Sequence, residues 1–580
     1  VGGNTNLTIT MEIGALEEEI VVTAVSPVVD TKKTSVGMNV SQEALQSLPT
    51  ARDPWVIMKL APGVVADRED VGGTDTGMQS TMMARGATGG AQNQWNIDGV
   101  MVTDPAAIGA SITYYDFDAF EEMQFTVGAA DVTTQTGGIA INLVTRRGGN
   151  RVTLGGRFYF TDGHKILQAD NLTDAMKKEG LLGTNKIRRI EDYGVNVGFP
   201  VIKDKFWLWG SYGVQDIKAD TILGGPWDML LTNFAWKANF QLIPQNRIEV
   251  FMHAGNKEMW GRSATTSNPE GLYQGTLYHF GTPIVKSQIE HMIGNDIFLS
   301  FKHGYTGGGF HLTPMTDLEF KKQAVFDVTA NRYYGSQASR YFCIRPQHQF
   351  TFTADYYREN LFGANHEFKL GAEYNWRRAY TESVWSGNYI LYRNFNSPVA
   401  DFDGDGRTDI PPSNFYRVDY WRGFYEDLAA RQYSAFFRDT ITYGRFTFIL
   451  GVRYDHQIPY VRPFSVVAVD RDSPAWKDYF TPKTIDLLDA LLPAAEQGKV
   501  KATAKDGSAY AWKFFSPRLG LTWDVFGDGK TIAKLSLAQY AEFMGVGEAS
   551  RWKKGGTSGW IDLHWWDLNR DGKIDFTELY

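Results

Sequence analysis

Two acidic stretches of the 580-residue chain carry its clearest chemistry, DFDGDGRTD at 401–409 and DLNRDGKIDFTE at 567–578. The second fits a twelve-position calcium loop throughout. Asp567, Asn569 and Asp571 stand at positions 1, 3 and 5, and Gly572 at position 6 allows the sharp turn. Lys573 offers its carbonyl at position 7, Asp575 stands at 9, and Glu578 at 12 is the bidentate ligand. Hard oxygen donors in this order suit Ca2+, and Ile574 at position 8 is the residue that packs inward. The first stretch places Asp401, Asp403, Asp405, Arg407 and Asp409 at the odd positions, with Gly406 at 6. Pro412 at position 12 supplies no bidentate acid, so weaker binding is expected there. Either stretch also reads as a solvated acidic turn. Pro411 and Pro412 close the first and WIDLHWWDL flanks the second, so neither sits in a helix–loop–helix. The expectation is a pair of metal-stiffened external loops holding Ca2+ at ~10⁻⁴ to 10⁻³ M, as extracellular modules do. A calcium switch is not expected.

Other reactive constellations are missing. No nucleophile elbow, Walker loop, HExxH or paired-cysteine zinc spacing appears, and ten histidines are scattered without metal spacing. The glycine runs at 86–90 and 304–309 are not phosphate cradles, because no strand-to-helix transition with a lysine follows them. An enzyme is not expected. A net charge of −8 without basic blocks argues against a nucleic-acid partner. Cys343, the single cysteine, cannot form an intrachain disulfide.

The elements that must carry the acidic loops are strands. The chain holds 36 Phe, 28 Tyr, 17 Trp and 59 Gly, yet its mean hydropathy is −0.31. That combination suits strands with lipid on one side, water on the other and aromatic girdles at the ends. No stretch approaches the ~18 apolar residues of a spanning helix. In EFKLGAEYNW, Phe368, Leu370, Ala372, Tyr374 and Trp376 share one face and Lys369, Gly371, Glu373 and Asn375 the other. In RFTFILGVRYD, Phe446, Phe448, Leu450, Val452 and Tyr454 oppose Arg445, Thr447, Gly451, Arg453 and Asp455. Tight turns at 203–205, 244–246, 443–445 and 527–530 alternate with longer polar segments at 259–282, 308–345, 382–430 and 458–510. Short turns on one rim and long loops on the other are the asymmetry of an outer-membrane barrel. The alternation marks roughly 13 strands after residue 150, ending near Tyr540. An open ribbon of that kind would leave unpaired backbone in lipid, so further strands are expected beyond this chain.

Ahead of the ribbon, residues 25–150 read as a compact mixed α/β unit. SQEALQSLP is a short helix capped by Ser41 and ended by Pro49. DPWVIMKLAPGV is a second, with Asp53 as N-cap, Pro54 at the first helical position and Pro62-Gly63 as the stop. Leu7, Ile9, Met11 and Ile13 alternate as one strand, the expected last piece, at 1–17, of a preceding domain. Between them Glu18, Glu19, Ile20, Val21, Val22, Thr23 and Ala24 form a short β-prone stretch with no proline until Pro27. It is suited to adding as a strand to an exposed sheet edge, or to continuing the preceding sheet.

The chain resembles a TonB-dependent outer-membrane receptor of the Oar-like group, and the match runs nearly its whole length. EEIVVTA (18–24) resembles the TonB box. RGATGGAQNQWNIDGV (85–100) and GGIAINLVTRRGG (137–149) resemble the plug signatures, with Leu143 in place of the usual Ile. FPVIKDKFWLWGSYG and SPRLGLTWDVFGDGKTIAKLSLAQY resemble barrel hairpins. The resemblance implies a carboxypeptidase-regulatory-like β-sandwich ending at 1–17, a mixed α/β plug at 25–150, and an antiparallel transmembrane β-barrel at 151–580. Such barrels have about 22 strands, more than this chain provides. It further implies a place in the outer membrane of a Gram-negative-type bacterium, in contact with its lipid, and a periplasmic TonB-type protein that grips 18–24. Arg85, Gly86, Asp98 and Gly99 are expected to be structural in the plug, Asp-Gly as a tight turn and Arg85 as a partner of plug or wall carboxylates. Direct contact with substrate is the less favoured reading.

The function implied is import, with substrate bound at external loops and energised movement of the plug. The alternatives are a non-transporting outer-membrane platform for a surface protein, and a soluble calcium-dependent β-rich binding protein. VDYWRGFY and WIDLHWW read as girdle or loop-core aromatics in preference to a sugar-stacking or partner surface.

Overall fold

A computed structural model describes residues 30, 32–48, 50, 52–67, 76–84, 92–164, 168, 169, 171–278, 281–399, 401, 403–462, 464–466, 480–484, 500–502, 511–552 and 559–579. Expectations placed on 1–17, on Glu18 to Ala24, and on Arg85 and Gly86 lie outside the described residues.

Period-two alternation builds the larger part of the molecule. Sixteen strands make one antiparallel sheet, from Thr153–Asp162 at one edge to Ile532–Ala538 at the other. The apolar face points outward: Phe446, Phe448, Leu450 and Val452 are all exposed, and Leu370 is 55% exposed. The polar face points inward, where Asn375, Arg377, Thr447, Arg453 and Asp455 are buried. Arg453 and Asp455 are among the most enclosed side chains of the molecule, at 1% and 0%. A sheet that exposes Phe and buries Arg is inverted relative to a soluble core, as a lipid-facing wall requires. One rim carries tight turns at 203–205, 244–245, 294–296, 362–363 and 444–445.

The opposite rim differs from the loops that the sequence suggests. The segments expected to be long loops contain upward continuations of the wall. Leu272–Thr276, Gly309–Pro314 and Arg340–Ile344 extend the line of Thr282–Ile293, Ile297–Thr306 and Gln347–Leu361, which leaves thirteen passes of the wall. Ala364–Val384 runs for 21 residues and Phe424–Tyr443 for 20, about twice what ~9–11 residues need to cross a bilayer. Above the lipid both faces of a strand meet water or protein, so the apolar alternation that marks a strand fades while the hydrogen-bond ladder continues. The three paired strands break at one height, where Gly308 adopts φ 127° and the chain passes close to Ile112.

Inside the wall sits a five-stranded sheet, ordered Val36–Ser41, Phe120–Gly128, Ala140–Thr145, Gln94–Ile97, Val100–Met101. Its core includes Trp55, Ile57, Trp95, Phe120, Phe125, Ile141 and Leu143. Ser41 caps the helix Gln42–Ser47 and Asp53 caps Pro54–Met58, with the Asp53 carboxylate accepting from Val56 N at 2.8 Å. The second helix is shorter than its sequence pattern, because the bonds Leu60 N to Ile57 O and Ala61 N to Met58 O tighten the next turn.

A third body lies at the long-connection rim. Its five strands run in the order Arg332–Gly335, Ala324–Asp327, Tyr389–Arg393, Phe415–Arg422, Gly559–Trp566. They share a small core of Tyr389, Leu391, Val418, Tyr420, Phe480, Trp565 and Ile574. Both acidic loops leave this outer sheet at one end, since Phe415 pairs with Trp566 and Tyr392 with Arg417.

Candidate functional site

The inner body is seated against the wall differently on its two sides. Toward strands 206–293 the contact has an apolar centre: Trp209, Ala235, Phe251 and Ile284 of the wall complete its hydrophobic core. Gly255 and Gly304 of the wall make room for this close approach. A Cβ at Gly304 would collide with Val100 Cγ1, and one at Gly255 with the Tyr114 carbonyl.

Asp98 and Gly99 turn the chain between Gln94–Ile97 and Val100–Met101, at φ 47° and 72°. The Asp98 carboxylate accepts from Thr145 N at 3.0 Å and Thr145 Oγ1 at 2.6 Å, and lies 2.9 Å from Lys237 Nζ. Lys302 Nζ donates to the Gly99 carbonyl at 2.6 Å. The turn is therefore gripped by two lysines of the wall, with Lys286 and Glu249 paired beside them at 2.6 Å. Further round, Arg157 lies 2.8 Å from Asp116 and 2.7 Å from Asp192, and Arg52 lies 2.6 Å from Asp118 and 3.0 Å from Asp192.

The other side is polar. Residues 129–136 form a strap whose backbone is held by wall side chains. Arg453 Nη1 donates to the carbonyls of Val132 and Thr133, both at 3.3 Å, and Arg518 Nη2 donates to Thr134 O at 3.2 Å. Gln432 donates to Gln135 at 2.7 Å, Ala130 N donates to Tyr540 OH at 2.8 Å, and Arg438 pairs with Asp131. A cavity of about 740 Å³ lies on this side, lined by Asn96, Asn142, Lys302, Gln349, Glu373, Arg438 and Arg518 among others.

A second cavity of about 1030 Å³ lies toward the long-connection rim, between the top of the inner body and the upper wall. Tyr114, Trp227, Met259, Leu272, Phe310 and Leu312 give it apolar surface; Gln79, Lys257, Arg262, Gln274 and Arg345 give it convergent polar groups. Lys257 Nζ donates to Gly77 O at 2.8 Å and Tyr114 OH at 3.0 Å, and Arg345 pairs with Asp104. A mostly apolar hollow with a few fixed donors is the usual form of a small-ligand site. Asp98 does not line it; Asp98 faces a smaller cavity of about 240 Å³ with Lys237, Glu249 and Lys286. Sequence reasoning missed Lys237, Lys257, Lys302 and Arg345. The available signal was a charged residue on the inward register of a strand whose outward neighbours are apolar.

In the first acidic loop the carboxylates of Asp401, Asp403 and Asp405 gather within 4.8 Å of one another, all exposed. Asp401 accepts from Gly404 N at 2.7 Å and Gly406 N at 2.9 Å, and Arg407 N donates to Asp405 at 2.8 Å. Asp409 stands apart from that group; its carbonyl accepts from Val399 N at 3.0 Å. In the second loop Gly572 N donates to Asp567 at 3.2 Å, Asp571 N to Asn569 at 2.8 Å, and Lys573 N to Asp571 at 2.8 Å. Thr577 N donates to Asp575 at 2.8 Å. Glu578 is buried, and its carboxylate accepts from Leu568 N at 3.0 Å and Asn569 N at 3.1 Å. Among the described residues only the first loop holds three acidic groups that close together.

Comparison with known proteins gives one consistent result. Residues 253–544, just over half the chain, match the family model described as TonB dependent receptor-like, beta-barrel. Over 211 residues the chain is 25% identical to the TonB-dependent transporter Oar of Myxococcus xanthus, covering 34% of this chain and 18% of that one. Its fold is similar to that of the outer membrane transporter YddB from Escherichia coli. The TM-score is 0.61 at 13% identity, covering 90% of this chain and 63% of that chain. The alcaligin outer membrane receptor FauA from Bordetella pertussis gives a TM-score of 0.51 at 13% identity, with 86% and 61% covered. The chain thus spans less than two thirds of these relatives' lengths.

Proposed function

The chain belongs to the TonB-dependent receptor family, non-enzymatic outer-membrane barrels of Gram-negative bacteria, and on that premise we propose that it imports a ligand from its outer cavity by energised displacement of the plug. Short turns mark the periplasmic rim of such barrels, so the 1030 Å³ cavity at the opposite rim faces outward. Lys32 meets Glu367 at 3.5 Å, close to the tight turn at 362–363, so the first described residues of the plug lie at the periplasmic rim. A periplasmic TonB-type protein grips Glu18 to Ala24 by strand addition.

The observation that carries the reading is the asymmetric seat of the plug. One side is anchored by apolar packing and the buried Lys237–Asp98 pair, while the strap 129–136 is held by hydrogen bonds from Arg453, Arg518 and Gln432 beside a polar-lined cavity. Water can replace those bonds at a net cost of roughly 1.5–3 kcal/mol for each one from an arginine and about 0.5–1.5 kcal/mol for the one from Gln432, whereas stripping the apolar side exposes Trp209 and Phe251. A pull from the periplasm therefore frees the strap first and joins the two cavities along the polar side.

Deletion of residues 18–24 tests this. The deleted receptor is expected to bind ligand as the unaltered one does and to lose energy-dependent accumulation in cells. Accumulation that survives the deletion would refute import by this route and favour a platform for a surface partner.

A further inference from the structure

We propose that the loop 567–578 is a Ca2+ site that clasps the outer sheet, a role independent of whatever the outer cavity receives. Asp567 ends the strand Gly559–Trp566 and is 6% exposed. One of its carboxylate oxygens, Oδ2, takes the N–H of Gly572 across the loop, which directs the group inward. The other, Oδ1, is enclosed and has no hydrogen-bond partner. An ionised oxygen buried without a partner is costly, and such groups are paired or coordinate metals. Both Asp567 and Glu578 are buried, and Glu578 is met by the N–H groups of Leu568, Asn569 and the Trp565 indole.

The rest of the loop supplies what the enclosed oxygen lacks. Glu578 is folded over the loop entry, its second oxygen accepting from Trp565 Nε1 at 3.2 Å. The side-chain oxygens of Asn569, Asp571 and Asp575 and the Lys573 carbonyl complete an all-oxygen set of the number Ca2+ takes; with no sulfur or imidazole it does not suit zinc. Binding would draw the carboxylates inward, which they do not yet do unaided.

The clasp follows from where the loop is tied. At its start Asp567 N donates to Asn414 O at 3.0 Å, and Asn414 Nδ2 returns a bond to Asp567 O at 2.8 Å, joining it to the segment before Phe415–Arg422. At its middle Ile574 is fully buried, and its carbonyl accepts from Thr481 N at 3.2 Å and Thr484 Oγ1 at 2.9 Å. Phe480, bridged to Ile574, packs edge-on against Tyr389 at 4.8 Å. One ion thus fixes three sequence-distant segments of the outer sheet. The exposed cluster at 401–405 offers no enclosed, unpartnered oxygen and stays outside this assignment.

Tb3+, which takes the same oxygen ligands, is the probe, because Trp565 and Trp566 adjoin the loop and can sensitise its luminescence. The full chain in lipid nanodiscs, stripped with EDTA, is titrated with Tb3+ under tryptophan excitation. Saturable emission is expected, displaced by Ca2+ at ~10⁻⁴ to 10⁻³ M. Glu578→Gln and Asp571→Asn should each lower it about tenfold, and Asp403→Asn should leave it unchanged. Asp571 is exposed, and Asn keeps the acceptor for Lys573 N, so that variant tests the site without disturbing the fold. Absent emission in the unaltered chain, emission indifferent to Asp571→Asn, or emission abolished by Asp403→Asn would each overturn the proposal.

Discussion

At the scale of single residues, charge on the inward register of the wall does two jobs. It keeps the lumen polar, and it holds the plug without gluing it. Lys237 and Asp98 make the clearest pair, both nearly enclosed at 2.9 Å, with Thr145 supplying two further bonds to the carboxylate. Lys237→Met removes the cation that Asp98 touches, leaving Thr145 as its hydrogen-bond donor and Lys286 across the small cavity. Loss of one partner of a buried pair costs about 3–5 kcal/mol, and the plug's unfolding transition, followed by tryptophan fluorescence, is expected to fall accordingly. Adding Asp98→Asn to Lys237→Met should restore most of the loss, because the uncompensated charge is then gone. A double variant no more stable than the single one would mean the lysine acts elsewhere. None of this pairing is legible in the sequence: Asp98 and Lys237 are recognisable separately, as a turn residue and an inward strand residue, but nothing local joins positions so far apart.

At the scale of elements, the outer sheet is where pH should tell. Asp419 lies opposite Asp562 in the pairing of Phe415–Arg422 with Gly559–Trp566. Burial pushes its carboxyl up to about 6, the Arg417 guanidinium opposes that, and the Asp562 charge adds to it; Tyr392 and Tyr333 also face it. A carboxyl raised in the folded state above its free value of ~3.9 stabilises fully below that value, and the contribution is lost as pH rises through about 6. Hydrogen exchange in Phe415–Arg422, corrected for intrinsic rate, is therefore expected to be slower at pH 4 than at pH 7.5. Asp562→Asn should flatten the difference by removing the like charge. The strands of the wall were readable because lipid enforces alternation over ten residues or more. Those of the outer sheet were not. Tyr389–Arg393 is five residues long, too short for a period to show, and Phe415–Arg422 pairs on its other side with Gly559–Trp566, far along the chain. The acidic stretches that follow Tyr389–Arg393 and Gly559–Trp566 stand out in the sequence for the opposite reason, since their carboxylates recur at fixed local spacing.

At the scale of the whole molecule, wall, plug and outer sheet are three bodies with three kinds of cohesion. A continuous antiparallel ladder holds the wall, an apolar core with a polar seat holds the plug, and a small aromatic core holds the outer sheet. The ladder is the strongest of these along its length, because unpairing a strand in lipid leaves backbone groups unsatisfied at several kcal/mol each. The plug has no such penalty on its polar side, which is what the proposed displacement requires. The measurement that meets this claim most directly is a mechanical one: the receptor is held in a bilayer, pulled by residues 18–24, and its extension and the membrane conductance are recorded together. The expected record is a release of plug length alone, about 3.3–3.6 Å per residue freed, with conductance rising while the wall stays whole. Wall strands unzipping along with the plug, or a plug drawn out with no rise in conductance, would contradict the account.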